Sequence, residues 1–311
     1  MRLFIIGLLL AFNLKCVGQH GLPFLRNYTP KEYHTEGIDN SPQNWGVVQD
    51  KRGIIYVANT SGILEYDGRI WKTIKSTRKI DIQSLGIDKK GKIYVGGTGE
   101  FGYLKVDSIG RLIYKSLVSK LNRLDKNFKE IFEIHCNGDK IYFRSDNKIF
   151  CLENEKIKAW SGNFSRSFLF NKTFYVRNKP DEDYNILCQF KKDSLSVAFN
   201  NAEIAREKFQ FLLPYKEKEL LIGTRDNGLY IFNGQSANKF VTDAEEFIIK
   251  NQLYRGELLK DSTYAIGTLY GGVVIINSQG KLIKKIDKYF QGFLILPVNF
   301  RSHNEYTGLG P

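Results

Sequence analysis

The sequence predicts an all-β protein, a β-propeller built from four-stranded antiparallel blades, and three observations carry that prediction. A strand-turn-strand unit recurs about six times along the chain, with the strands separated by short polar turns. Aligned on the central apolar strand of each copy, Tyr56, Tyr94, Tyr142, Tyr175, Leu221 and Ala265 fall in register, at spacings of 38, 48, 33, 46 and 44 residues. A strand-filled period of roughly 40–50 residues is that of a propeller blade. The 17 Tyr and 22 Phe in 311 residues suit half-buried strands, and 42% hydrophobic residues suffice for a large core.

The first copy can be read strand by strand. Trp45 to Gln49 is apolar, and Asp50-Lys-Arg-Gly53 is its turn, with glycine free to take positive φ. Ile54 to Ala58 is an unbroken apolar run, the pattern of a strand covered on both faces by neighbouring blades. Asn59-Thr-Ser-Gly62 turns again, Ile63 to Tyr66 follows, and Asp67-Gly68 marks a tight turn before an outer strand around Trp71. The second copy runs from Leu85 to Gly97 and on through Gly102 to Asp107. Later copies are Lys140–Ser145, Thr173–Arg177, Leu220–Phe232, and Tyr264–Thr268 with Gly272–Ile276.

The pattern weakens in two places. Leu117 to Leu124 reads as a short helix inserted between blades. Between Pro180 and Lys208, Leu187–Phe190 reads as an outer strand and Ala202–Lys208 has local helix propensity. Both stretches are expected as loop elaborations within one propeller.

The N-terminus has a positive Met1-Arg2, an apolar run from Leu3 to Phe12 and a small-residue boundary at Gly18, the layout of a secretory signal peptide. Its apolar run falls short of the ~20 residues that a membrane-spanning helix needs. Lipid attachment at Cys16 fits poorly with Lys15 directly before it. The domain expectation is therefore a signal peptide at 1–18, a propeller at 19–290 and an atypical tail at 291–311, exported to the periplasm. Cys136, Cys151 and Cys188 then remain, too few for a disulfide framework; they read as buried free thiols, with a Cys136–Cys151 bridge as the alternative. No Cys/His cluster of zinc spacing is present.

The formal net charge is +13, but the basic residues come as pairs at turns, such as Lys51-Arg52 and Lys284-Lys285, rather than as one stripe. That distribution reads as a solvated surface and protects strand edges; for an exported protein it favours anionic ligands or envelope surfaces over nucleic acid.

Two segments carry a family resemblance. Ile222-Gly-Thr-Arg-Asp-Asn-Gly-Leu-Tyr-Ile231 resembles the two-component regulator propeller repeat, in which an apolar strand, Gly-Thr, a polar turn, Gly-Leu and an aromatic strand follow one another. The opening from Leu22 to Tyr28, through Tyr33, to Gln43–Asp50 is similar to the start of exported sensor regions in Bacteroidetes-type regulators. The resemblance spans about Leu22 to Lys288. It implies ligand sensing outside the cytoplasm without chemistry, with glycans or nutrients as partners. In that family a triple-tyrosine domain, a membrane helix and a histidine kinase or DNA-binding output follow the propeller. Here the chain departs after Gly292 into Phe293-Leu-Ile-Leu-Pro-Val and lacks those parts, which predicts a truncated or frame-disrupted product. Seven blades are the commoner ring for this resemblance, so with about six recognisable the ring is expected to be incomplete.

No familiar catalytic or nucleotide-binding motif is present, so no enzyme activity, cofactor or metal is expected. His34 and His135 read as structural, and Asp181-Glu-Asp183 as an exposed acidic turn, although a secreted glycan-acting enzyme would need such carboxylates. An envelope adhesion or scaffold propeller is a further alternative. The ligand-binding candidates are Arg144 and Arg177, which end equivalent strands of adjacent blades where Ala58, Gly96, Gly223 and Gly267 stand elsewhere. Two guanidinium forks at one level suit an anionic group. Trp45, with Trp71 and Trp160, is a candidate stacking face, against the alternative of blade packing.

Overall fold

The computed structural model describes residues 26, 28–33, 41–74, 80–179, 186–191, 194–199, 207–216, 219–233 and 236–287. The signal peptide, His34, Asp181–Asp183 and the tail from 291 lie outside them. The chain is a six-bladed β-propeller of six four-stranded antiparallel sheets, each built from consecutive strands. Blade 1 comprises β1 (Asn44–Gln49), β2 (Ile55–Asn59), β3 (Gly62–Tyr66) and β4 (Trp71–Ile74). Blade 2 comprises β5 (Ile82–Ile87), β6 (Ile93–Gly97), β7 (Glu100–Val106) and β8 (Leu112–Ser116). Blade 3 comprises β9 (Glu133–Asn137), β10 (Lys140–Arg144), β11 (Lys148–Glu153) and β12 (Lys156–Ser161). Blade 4 comprises β13 (Phe164–Phe170), β14 (Thr173–Asn178), β15 (Ile186–Lys191) and β16 (Ser194–Phe199). Blade 5 comprises β17 (Phe209–Tyr215), β18 (Glu219–Thr224), β19 (Gly228–Phe232) and β20 (Ala237–Phe240). Blade 6 comprises β21 (Leu253–Leu258), β22 (Tyr264–Thr268), β23 (Val273–Ile276) and β24 (Leu282–Ile286).

The first strand of each blade is innermost. The expected register holds: Ala58, Gly96, Arg144, Arg177, Gly223 and Gly267 each pair with the corresponding innermost-strand residue, namely Gly46, Ser84, Glu133, Arg166, Phe211 and Arg255. In five of the six blades a bulge just before that pair lifts one residue out of the ladder: Trp45, Gln83, Ser165, Gln210 and Tyr254. A bulge re-aims side chains and raises local twist. It falls at the same place, the start of the innermost strand, in those five blades.

Several local expectations need correction. Leu187–Phe190 lies in β15, the third strand of its blade, because β16 adds a further strand outside it. The insertion at Leu117–Leu124 keeps only a 3-10 turn, Val118–Lys120, while Leu117 and Leu121 bury as strand-flanking apolar residues. A helix the sequence pattern does not mark, α1 (Glu245–Lys250), links blades 5 and 6, with Glu245 and Glu246 in its first turn and Lys250 in its last. That charge order suits the helix dipole. Ile248 drops into the core between those blades.

The core is divided by seam. One apolar cluster fills each interface between consecutive blades: Tyr56, Ile63 and Leu104 between 1 and 2, Phe101, Phe143 and Phe150 between 2 and 3, and Tyr142, Phe174 and Val176 between 3 and 4. Phe209, Ile222 and Phe232 fill the interface between 4 and 5, and Leu221, Ile266 and Ile276 that between 5 and 6. Among the described residues no such cluster joins blade 6 to blade 1. The second strands differ in cover, and β14 of blade 4 alternates as β2 does. Those of blades 2, 3 and 5 are buried along nearly their whole length, on both faces. In β2 and β22 buried and half-buried residues alternate, so Ile55, Val57 and Ala265 are covered less than their neighbours. The run Ile54–Ala58 is therefore covered fully on one face only. Blade 1 caps part of its free face with its own N-terminal segment: Tyr28 lies edge-on to Trp71 at 5.3 Å, Tyr33 packs on Trp71, and Tyr66 stacks on it at 4.6 Å.

Adjacent residues of β23 give a direct test. Ile276 is 0% exposed inside the blade 5–6 cluster, whereas Ile275 faces the unfilled side and is half-buried. Ile276→Ala is expected to cost about 2–5 kcal/mol in urea unfolding, and Ile275→Ala about 1 kcal/mol or less. Equal costs would show that the sixth interface is packed like the other five.

Candidate functional site

The polar side chains that the core cannot absorb gather where the innermost strands converge. Glu133 at the start of β9 is the centre. Its Oε2 accepts hydrogen bonds from Arg144 Nε at 3.0 Å, from the Ser167 backbone N–H at 2.7 Å and from Ser167 Oγ at 2.8 Å. Its Oε1 accepts from Arg166 Nη1 at 3.3 Å. Arg166, on the next innermost strand, extends its other nitrogen to Gln210 Oε1 of blade 5 at 3.1 Å and sits over the Tyr254 ring of blade 6 at 5.4 Å. A single side chain thus touches blades 3, 5 and 6 from blade 4, which is feasible only at the axis. Arg255 follows Tyr254 in β21, is exposed, and stands 5.9 Å from the same ring.

Burial alone would raise the Glu133 carboxyl, but the charges of Arg144, Arg166 and Arg255 outweigh it and hold the group ionised, well below the ordinary carboxylate range. The Arg255 contribution comes from a blade three positions away. Burial lowers the His135 imidazole to about 4 despite the Glu133 charge, so the ring is neutral at physiological pH. Burial, reinforced by the Arg166 charge, brings Arg177 down to about 10.

Both arginines marked by the sequence lie in this region, at equivalent positions of adjacent blades, and each reaches forward to the next blade. Arg144, 2% exposed, is paired with Glu133 and with Asp146 at 3.2 Å, and its Nη1 also donates to the carbonyl of Phe164, the first residue of β13, at 3.4 Å. Arg177 Nη1 donates to the carbonyl of Phe209, the first residue of β17, at 3.3 Å. In blade 2 the same span is made by Ser84 Oγ, bonded to the Ile131 carbonyl at 2.6 Å. The structure therefore uses these side chains as ties from one blade to the innermost chain of the next. Trp45 donates its indole N–H to Thr60 Oγ1 at 3.1 Å and packs on the blade 1–2 cluster. Trp71 belongs to the tyrosine cap, and Trp160 meets Phe190 edge-on at 4.8 Å.

His135, partnerless by sequence, finds Ser167 Oγ of the neighbouring blade at 2.9 Å. Serine, histidine and glutamate thus meet, but in an order unlike a nucleophile–base–orienter triad. The buried Ser167 hydroxyl spends its proton on ionised Glu133, so the imidazole N–H donates to it rather than taking its proton. No disulfide joins the described cysteines; burial pushes Cys136 up to about 12, and Cys188 is raised too, which leaves these two thiols poor nucleophiles. No group of three or more His, Cys, Asp or Glu among the described residues could hold a metal ion. Nor is any described helix long and apolar enough to cross a membrane.

Glu133, Arg166, Tyr254 and Arg255 escaped the sequence reading, which aligned second strands. Aligning the residues that precede each turn by one strand would have placed Glu133 opposite Arg144 and Arg166 opposite Arg177, a signal that was present.

No protein-family model matches the chain, and no curated protein matches it. Its fold does match solved structures. The extracellular domain described as that of a hybrid two-component system, BT4673 of B. thetaiotaomicron, superposes with a TM-score of 0.58 and 15% identity over 82% of this chain and 34% of that one. This chain spans about a third of that structure's length. Virginiamycin B lyase of Staphylococcus aureus gives a TM-score of 0.58 at 11% identity, over 78% of this chain and 84% of the lyase. The WD40 propeller domain of Doa1 gives 0.57 at 11% identity, over 81% of this chain and 84% of that one. At such identities the likeness establishes the propeller fold.

The network makes a pH prediction. Glu133 stabilises the fold above its unfolded pKa of about 4.3, and that contribution is lost as pH falls further. His135 binds a proton in the unfolded chain below about 6.5 but in the fold only below about 4. Stability is therefore expected to decline as pH drops from about 6.5 to about 4, and His135→Asn should flatten that limb in denaturation midpoints measured across pH. Glu133→Ala, which strands two arginines, is expected to cost about 3–5 kcal/mol at neutral pH.

Proposed function

We propose that this protein is an exported, non-catalytic ligand-sensing propeller, the sensor portion of a signal-transduction regulator, and that its ligand is a small molecule such as a glycan or other anionic nutrient. The observation that carries this reading is the axial cluster. It gathers ionised and hydrogen-bonding side chains from blades 3, 4, 5 and 6 at one level, while its one serine–histidine pair is arranged against nucleophilic attack. The shared fold with an extracellular two-component domain supports the sensing role, and the N-terminal apolar run supports export. Regulators of that kind place the propeller outside the membrane and read ligand occupancy through further domains.

The test combines binding with recovery. The purified chain is screened against neutral sugars, sugar acids and amino acids by thermal shift, and every compound is re-quantified by mass spectrometry after incubation. At least one class is expected to raise the melting temperature saturably and to be recovered unchanged. Product formation would assign the propeller to an enzyme, and a panel without any shift would remove the sensing role.

A further inference from the structure

Resting on the sensing role just proposed, the charge arrangement at the axis points to the chemical class of the ligand. We propose that the axial mouth binds the anionic group of its ligand, a carboxylate or sulfate, between the guanidinium groups of Arg166 and Arg255, with the Tyr254 ring as the wall of the site.

Glu133 carries one negative charge, and its oxygens already accept from Arg144, Arg166 and both donors of Ser167. Asp146 shares Arg144 at the rim, where it is mostly exposed. None of these hydrogen bonds comes from Arg255, whose guanidinium makes no ion pair among the described residues. The axis therefore holds more positive charge than its acids answer.

Arg166 and Arg255 both lie against the Tyr254 ring, at 5.4 and 5.9 Å from its centroid. Two like charges held on one ring repel each other, and that cost is relieved when an anion accepts from both. Arg166 is not free to swing away: Glu133 fixes one nitrogen and Gln210 another. One half of the site is thus rigid, and Arg255 supplies the adaptable half.

Arg255 pairs in register with Gly267, so it projects from the face of blade 6 that no described blade covers. Arg255 itself is exposed, and among the described residues no packed interface lies over it.

The probes are D-glucuronate, its neutral counterpart D-glucose, and inorganic sulfate, titrated into the full chain by calorimetry at low and moderate salt. Glucuronate is expected to bind and glucose to bind at least about tenfold more weakly, with affinity falling as salt rises. Arg255→Gln removes an exposed side chain and should leave the melting temperature of the unliganded protein unchanged while weakening glucuronate about tenfold or more; Arg255→Lys should restore part of the loss. Competition by sulfate against bound glucuronate identifies the acid group of a sugar as the recognised part, whereas sulfate binding alone identifies a free oxyanion; both support an anion site. Glucose binding as tightly as glucuronate, an Arg255→Gln protein of undiminished affinity, or no binding by either anion overturns the proposal. A neutral compound that stabilises the protein in the broader screen would leave the sensing role standing without this site.

Discussion

Every blade of this protein is apolar on both sheet faces at its centre, and a four-stranded sheet cannot cover either face by itself. Burial of one blade's face against the next is therefore the constraint from which the rest follows. It explains why the core comes as separate clusters, one per interface, instead of one continuous mass. It explains why aromatic residues dominate the inner interfaces: Phe101, Phe143 and Phe150 pack with centroids 4.6–4.8 Å apart between blades 2 and 3, where flat rings fill the wedge between two sheets. The same requirement explains the tyrosine cap. Blade 1 has no described partner on one side, and Tyr28 and Tyr33 cover there what a neighbouring blade covers elsewhere.

Wedge packing also produces the axial site. The blades converge at their innermost strands, where space between them is least and apolar side chains give way to hydrogen-bonded ties: Ser84 to Ile131, Arg144 to Phe164, Arg177 to Phe209. Burying arginine in this role is costly unless its charge is met, and Glu133 meets it. The single charge of Glu133 is already shared by Arg144 and Arg166, so each additional guanidinium at the axis adds charge that this one carboxylate does not balance. Structural ties between blades and a surplus of positive charge at the mouth are thus two consequences of one arrangement. The arginines that hold the blades and the arginine offered to solvent differ in what surrounds them and are identical in chemistry.

The fold was readable in the sequence because its period is a physical one. Each blade repeats the same alternation and the same turns, so Tyr56, Tyr94, Tyr142 and Tyr175 align without knowledge of their contacts, and the strands of blade 1 fall within a residue or so of where the turns place them. The site was readable only in part. Arg144 and Arg177 stood out because they occupy positions where other blades have Gly or Ala. Glu133 and Arg166 did not, since they sit on the partner strand across the turn, and pairing across a strand is a register property that spacing shows only once both strands are fixed. Helix α1 was missed because six residues are too few to display a period. His135 and Ser167 lie 32 residues apart, and only the stacking of two blades brings them together.

The unfilled interface and the axial charge bear on each other. In blades 3 and 4 the innermost-strand residue at the paired position reaches into the next blade, Glu133 to Ser167 and Arg166 to Gln210. Arg255 occupies the same position in blade 6 and has no described blade to reach into. Its exposure is therefore a direct result of where the packed interfaces stop. A propeller sealed on all sides would draw Arg255 into an interblade tie like its equivalents, and the surplus charge would vanish into structure. Left unsealed, the same residue becomes the accessible edge of a rigid cluster, positioned by Tyr254 and backed by Arg166. In the anion site proposed above, a packing boundary would serve as a recognition surface, and an occupant of the axis would be tied to the stability of blade 6. An occupant that draws Arg255 inward holds β21 at the edge of the ring, where the fold has least packing to spare.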